Sequence, residues 1–191
     1  MGITITRGNI TDSTTDAIVN AANDRLAEGA GVCGAIFKAA RQAGGHAELT
    51  NACRAIGHCP TGDAVITPSF GLGSPWIIHA VGPVWRGERD VMPKSLTSDN
   101  ITQLRELASA YRAVLQVCRE NSLSSVTIPA ISTGIFGLPK ELGAAIAVSV
   151  CTREADSIDV DLIAYENDSY EVLSAAPTAL ALRMLTGAGV L

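Results

Sequence analysis

The stretch between Asp16 and Arg41, DAIVNAANDRLAEGAGVCGAIFKAAR, limits what this chain can become more than any other. A short apolar run, Ala17-Ile18-Val19, leads into Asn20 and Asn23. A glycine loop follows, Gly29-Ala30-Gly31-Val32-Cys33-Gly34, and then a helical pattern, Ala35 to Ala40. Strand, glycine loop and helix start together make an anion site. Backbone N–H groups at a helix N-terminus have no internal partners, and the dipole there favours negative charge. Glycines let that backbone come close to a ligand. Asparagine at a strand end both donates and accepts, which suits a pair of ribose hydroxyls.

Around this stretch the remaining segments alternate between strand and helix patterns. Ile3 and Ile5 alternate with threonines, a strand ending at Gly8, and Thr11-Asp12-Ser13 has turn and cap chemistry. Residues 16–20 read as the second strand, and 34–42 and 46–56 as two helices broken at Gly44-Gly45 and Gly57. Residues 64–67 and 76–81 read as strands joined by a hairpin-like loop, the second stopped by Gly82-Pro83. Residues 86–99 are the most polar stretch and read as a mobile surface loop. Ile101, Leu104, Leu107, Ala108, Tyr111, Val114, Leu115 and Cys118 then form a helical apolar stripe. Residues 125–131 read as a buried fifth strand, and 132–137 as a second glycine-bearing loop. Pro139 suits the first turn of a helix over 139–153. Residues 158–165 read as the sixth strand. Asp168 and Glu171 have capping-box spacing for a last helix, which Pro177 kinks or restarts. The alternation predicts an α/β fold on a mixed sheet, as one domain over 1–191.

Composition narrows the function classes. At 191 residues the chain is long enough for a full core. Hydrophobic content of 47% and mean hydropathy of +0.26 come without an apolar run near ~18 residues, so no membrane span is expected. A net charge of −5 argues against nucleic acid as a partner but not against one small anion, since backbone N–H groups carry no formal charge. Five cysteines, an odd number without a C-x-x-C, fit reduced thiols and a cytoplasmic protein. Cys53, His58 and Cys59 fit no usual zinc spacing and read as structural, with no metal expected. The opening Met1 to Thr6 matches the loose N-myristoylation pattern but also reads as the first strand, and no charged-then-apolar leader precedes it.

The two glycine loops, 29–34 and 132–137, each leave a strand end, where α/β sheets bind ligands. Placed at one edge, they would grip a diphosphate from two sides. Gly29, Gly31 and Gly34 also satisfy G-x-G-x-x-G, so a nicotinamide-dependent oxidoreductase is a remote alternative. Against it, residues 21–28 separate strand from glycines, and the expected acidic residue about 20 positions on is missing.

Five motifs carry a resemblance. They are Asn20-Ala21-Ala22-Asn23, Gly31 to Ile36, Gly62 to Thr67, Ile78 to Pro83, and Pro129 to Gly137. In this order, over about 3–175, the chain resembles a macrodomain. The resemblance implies a three-layer α/β/α sandwich around a mixed six-stranded central sheet, with no cofactor. It implies ADP-ribose, O-acetyl-ADP-ribose or ADP-ribosylated protein as the partner. Many members hydrolyse ADP-ribose from acidic side chains or cleave O-acetyl-ADP-ribose, and others only bind as readers. By position, Asn23 would meet the distal ribose, and Gly31 and Val32 one side of the diphosphate. Ser132, Thr133, Gly134, Ile135 and Phe136 would wrap the other side. Tyr165 would flank adenine, with Asn167 assisting.

Two departures matter. The family usually reads Gly-Asp-Ile-Thr where this chain has Gly8-Asn9-Ile10-Thr11, so Asn9 and Ile10 would meet adenine through a neutral, weaker bond. Cys33 stands where many hydrolases carry Asp, and Phe37 where a His is common. Viral macrodomains with Gly-Val-Cys in this loop are hydrolases nonetheless. In their scheme the substrate's own phosphate positions water, while Asn23, Gly31 and the loop around Cys33 hold the ribose. A nucleophilic Cys33 would need an activating partner, and neither His46 nor His58 has an evident place beside it, although a helix N-terminus could lower its pKa. Other residues have bland readings. Asn20 ties loop backbone, His79 is a satisfied core residue, and Trp76 and Trp85 pack at strand flanks. Asp63 is a turn partner, and Lys140 and Glu141 form a solvated first helix turn.

Overall fold

Strand β2, Ala17–Ala22, sits inside the sheet and pairs in parallel with β4, Trp76–Val81, and with β5, Ser125–Pro129. Strand β6, Asp159–Ala164, pairs in parallel with β5 and with β1, Ile3–Arg7. Strand β3, Ala64–Pro68, runs antiparallel to β4, giving a mixed six-stranded sheet in the order β1-β6-β5-β2-β4-β3. The computed structural model describes residues 2–191. No helix among them is long and apolar enough to cross a membrane.

Side-chain alternation along β2 makes three layers. Ile18 and Ala22 join one buried cluster with α1, Gly31–Gln42, and α2, His46–Ile56. Ala17 and Val19 join the other, which is built by four helices. These are α3, Ser98–Glu120; α4, Lys140–Glu154; α5, Asn167–Ser174; and α6, Ala179–Gly187. Leu104, Leu107, Tyr111, Val114 and Leu115 of the predicted α3 stripe are all fully buried. Each such side chain contributes roughly 1.5–3 kcal/mol.

Several boundaries differ from the sequence reading. Helix α1 begins at Gly31 rather than 34, so part of the first glycine loop is its first turn. Strand β5 stops at Pro129 rather than 131. Helix α3 starts at Ser98, because Thr97 and Asn100 form a capping box inside the polar stretch. Pro139 precedes α4, and Asp90 Oδ1 accepts from the Lys140 N–H at 3.2 Å in place of a local cap. The predicted Asp168/Glu171 capping box does not form. Helix α5 starts at Asn167, which donates to Glu171, while Asp168 accepts from Lys140 Nζ at 2.9 Å. Pro177 lies between α5 and α6, a restart rather than a kink.

Candidate functional site

The parallel strands β1, β6, β5 and β2 end on the same edge, and the segments leaving them enclose a cleft of about 850 Å³. Asn9 and Ile10 follow β1, and Tyr165 and Glu166 follow β6. Residues Ala130 to Phe136 follow β5, and Asn23 follows β2. Gly31, Val32 and Cys33 begin α1 on the facing wall. The two walls approach closely: a Cβ on Gly31 would stand 3.8 Å from Ile135 Cδ1.

Backbone donors dominate this cleft. The N-cap of α1, Ala30, supplies no side-chain cap. The N–H groups of Gly31, Val32 and Cys33 have no hydrogen-bond partner among the described residues. Residues 132–136 are alike, since none of their N–H groups has an internal partner. Three of their five carbonyls are occupied instead: Ser132 O accepts from Leu138, Gly134 O from Gly137, and Phe136 O from Trp85. A run of unpaired amides with its carbonyls tied back is a concave anion nest. Ser132 holds φ at +67°, a left-handed conformation costing about 1–3 kcal/mol for a residue with a side chain. Its Oγ is buried without a partner.

Asn23 organises the loop after β2. Its Oδ1 accepts from Arg25 N–H at 3.2 Å and Ala27 N–H at 3.1 Å, and its Nδ2 donates to Ala27 O at 2.8 Å. One Nδ2 hydrogen is left for a ligand. Asn20, expected to tie loop backbone, instead points into the layer below. Its Nδ2 meets His79 Nδ1 at 3.1 Å, and its Oδ1 is buried and unpartnered. With Nδ1 accepting, His79 Nε2–H donates to Thr67 Oγ1 at 2.9 Å. The core reading of His79 holds, and burial pushes its pKa down to about 4.

Cys33 is buried at the cleft floor, and its thiol donates to Ala27 O at 3.7 Å. Burial raises its pKa; the Gly29 backbone contact and the Asn20 side chain pull the other way and lose. The shift runs opposite to the lowering that a helix N-terminus could give. Cys53 and Cys59 are buried too, with pKa values pushed up to about 11.

The family profile described as Macro domain matches residues 19–147. The chain belongs to the macro domain family. A macro domain-containing protein of Ralstonia nicotianae is 41% identical over 80% of each chain. A protein of Cronobacter sakazakii named O-acetyl-ADP-ribose deacetylase is 40% identical over 88% of this chain and 89% of its own. Among solved structures, a mutant Oceanobacillus iheyensis macrodomain with ADPR superposes with a TM-score of 0.76. It is 35% identical and covers 96% of this chain and 92% of that one. A Trypanosoma brucei macrodomain in complex with ADP-ribose gives a TM-score of 0.73 at 30% identity, over 90% and 67%.

In this macro domain, Asn9, Ile10, Asn23, Gly31, Val32, Cys33, residues 132–136 and Tyr165 all line the one cleft. Asn167 does not; it accepts from Arg7 Nη1 at 2.7 Å, outside the lining. Asn9 Oδ1 also caps the 3-10 turn Ile10–Asp12 by accepting from Thr11 N–H at 3.2 Å. Tyr165 is 73% exposed at the rim. The oxidoreductase fingerprint fails on geometry, because β2 ends at Ala22 and α1 begins only at Gly31. Sequence reasoning missed the segment behind the second loop. Arg89 and Asp90 of the polar stretch are tied to that loop rather than free, and Lys140 is held between Asp90 and Asp168 rather than solvated. Their polar composition carried no signal of which backbone groups they would meet.

Proposed function

We propose that this macro domain binds ADP-ribose and hydrolyses its ester to an acidic side chain, or the acetyl ester of O-acetyl-ADP-ribose, as a cytoplasmic enzyme. One observation carries the reading: unpaired N–H groups on Gly31 to Cys33 and on residues 132–136 line the two walls of a single cleft. A pyrophosphate is the group those donors fit. Charge-assisted N–H···O bonds contribute roughly 1.5–3 kcal/mol each. Four of them, less the cost of immobilising the ligand, are compatible with micromolar binding, about −8 kcal/mol.

Phosphates at the centre put adenosine towards Asn9, Ile10 and Tyr165, and the distal ribose towards Asn23. The free Nδ2 hydrogen of Asn23 then meets a ribose hydroxyl, and Gly31 lets backbone reach the same sugar. Water, positioned by the substrate's phosphate, attacks the ester, giving ADP-ribose and the free carboxylic acid. Orientation of this kind lowers barriers substantially. Cys33 shapes the floor as a neutral thiol. The relative named O-acetyl-ADP-ribose deacetylase supports the deacetylase branch.

A second reading, a non-catalytic reader, draws on the charge inventory: Glu166 is the one carboxylate among the lining residues, and it follows β6 at the adenosine end. Calorimetry with ADP-ribose, then turnover of O-acetyl-ADP-ribose and of mono-ADP-ribosylated protein, separates the two. Gly31→Glu should abolish binding, since it puts a carboxylate against the phosphates at φ +62°. Asn23→Ala should cut turnover by about 10- to 100-fold, and Cys33→Ala should leave it within a few-fold. Binding without release of product leaves only the reader.

A further inference from the structure

The segment after β4 touches the second glycine loop from behind. Trp85 N–H donates to Phe136 O at 2.9 Å, and Asp90 N–H to Gly137 O at 2.9 Å. Between them, Arg89 Nη2 donates to Gly134 O at 3.0 Å. Gly134, Ile135 and Phe136 line the cleft, whereas Trp85, Arg89 and Asp90 do not. Three carbonyls of one binding loop are thus held by one short segment on its outer side.

The Arg89 contact has a directional consequence. In a trans peptide the carbonyl and the following N–H point opposite ways. Fixing the Gly134 carbonyl on the Arg89 side turns the Ile135 N–H away from Arg89, toward the cleft. Besides Arg89, one turn bond within the loop restrains this peptide. A Cβ at Gly134 would meet nothing within 4 Å, and glycine tolerates either orientation. The turn bond from Gly137 N–H reaches the same oxygen at 3.0 Å, and Arg89 adds the charged donor. Arg89 is itself placed. Its Cγ packs 3.0 Å from where a Cβ of Gly137 would stand. The next residue, Asp90, is bound to the Lys140 N–H at 3.2 Å and to its Nζ at 2.8 Å. Lys140 Nζ also reaches Asp168 of α5 at 2.9 Å, which roots the segment in two helices.

We infer that Arg89 is a positioning residue for the pyrophosphate: it orients the Gly134–Ile135 peptide so that the Ile135 N–H faces the bound phosphates, without touching the ligand itself. The inference rests on the ADP-ribose reading above. Titrating three proteins with two ligands separates the failure of one from the failure of the other. Wild type, Arg89→Ala and Arg89→Lys are titrated with ADP-ribose by calorimetry. They are then titrated with adenosine, which has no phosphates, by amide NMR, and each melting temperature is recorded. Arg89→Ala should weaken ADP-ribose about tenfold, leave adenosine within twofold, and shrink the shift of the Ile135 amide on ADP-ribose addition. Arg89→Lys, which keeps a cationic donor, should restore most of the affinity. ADP-ribose binding to Arg89→Ala within twofold of wild type overturns the inference and leaves the ADP-ribose reading standing. Equal loss of ADP-ribose and adenosine overturns it as well, since that marks general loosening. No ADP-ribose binding by wild type sinks both.

Discussion

Asn9 is the residue at which chemistry and scaffold compete most directly. Its Oδ1 already accepts from Thr11 N–H, so one side-chain oxygen serves both the turn and any adenine amino group. A carboxylate supplies a second oxygen and a charged acceptor. Asn9→Asp therefore keeps the cap and strengthens the contact to adenine, and ADP-ribose affinity should rise by roughly three- to tenfold. Calorimetry on the single variant decides this; an unchanged affinity means the side chain serves only the turn. Residue-scale roles were only partly legible in the sequence. Asn20 and Asn23 have identical side chains three positions apart, and no local pattern distinguishes them. The strand's true end at Ala22 does: Asn20 stays in the sheet facing His79, and Asn23 falls beyond it. Ser132 was found by its motif, but its left-handed backbone was not, because serine gives no local signal for φ above zero.

At the scale of elements, α1 and the loop before it fit because Gly34 has no side chain. A Cβ there would stand 2.8 Å from Gly29 O, a backbone atom that cannot swing aside. Helix propensity argues the other way, favouring alanine by about 1 kcal/mol. Overpacking costs roughly 1–3 kcal/mol and here displaces the loop that leads into Gly31. Gly34→Ala should therefore lower the melting temperature by a few degrees, at about 2–4 °C per kcal/mol, and weaken ADP-ribose binding. Thermal melts and calorimetry check both effects, and a raised melting temperature would show that propensity wins. This pair of forces also explains why the element map was legible and its edges were not. Hydrophobic period identified β2, the α3 stripe and the β3–β4 hairpin. The start of α1 is packed against its own preceding loop, with Gly34 set beside Gly29 O. The tether over residues 85–90 was set by backbone carbonyls 45 or more positions away. Neither leaves a periodic trace.

Across the whole molecule, the sheet beneath the cleft is joined to β3 and α2 through His79. It sits on β4 opposite Asn20 and faces Asn20, Thr67 and Cys53, with no carboxylate among its partners. Burial holds its pKa near 4 against an ordinary 6.5. The unfolded chain thus binds a proton at His79 between about pH 6.5 and 4 that the folded chain refuses. Stability is complete above pH 6.5 and is lost as pH falls through that window, by about 2 kcal/mol at pH 5. Asp16, by contrast, is depressed by hydrogen bonds from Ser124 and loses its contribution only at lower pH, below its ordinary 3.8. The two windows do not overlap above pH 5, so a decline there is assigned to His79. Urea unfolding of wild type and His79→Gln at pH 7 and pH 5 provides the test. Wild type should lose stability between the two while the variant, which has nothing to protonate, stays nearly flat. A wild type equally stable at both would mean that the Asn20–His79–Thr67 chain accepts the proton without cost. In the expected case, protonation breaks the Asn20 contact first, because Nδ1 can no longer accept. The folded chain takes that proton only near pH 4, so strand β2 should loosen beneath Asn23, and ADP-ribose affinity decline, only there, at the acid end of the window in which stability is lost.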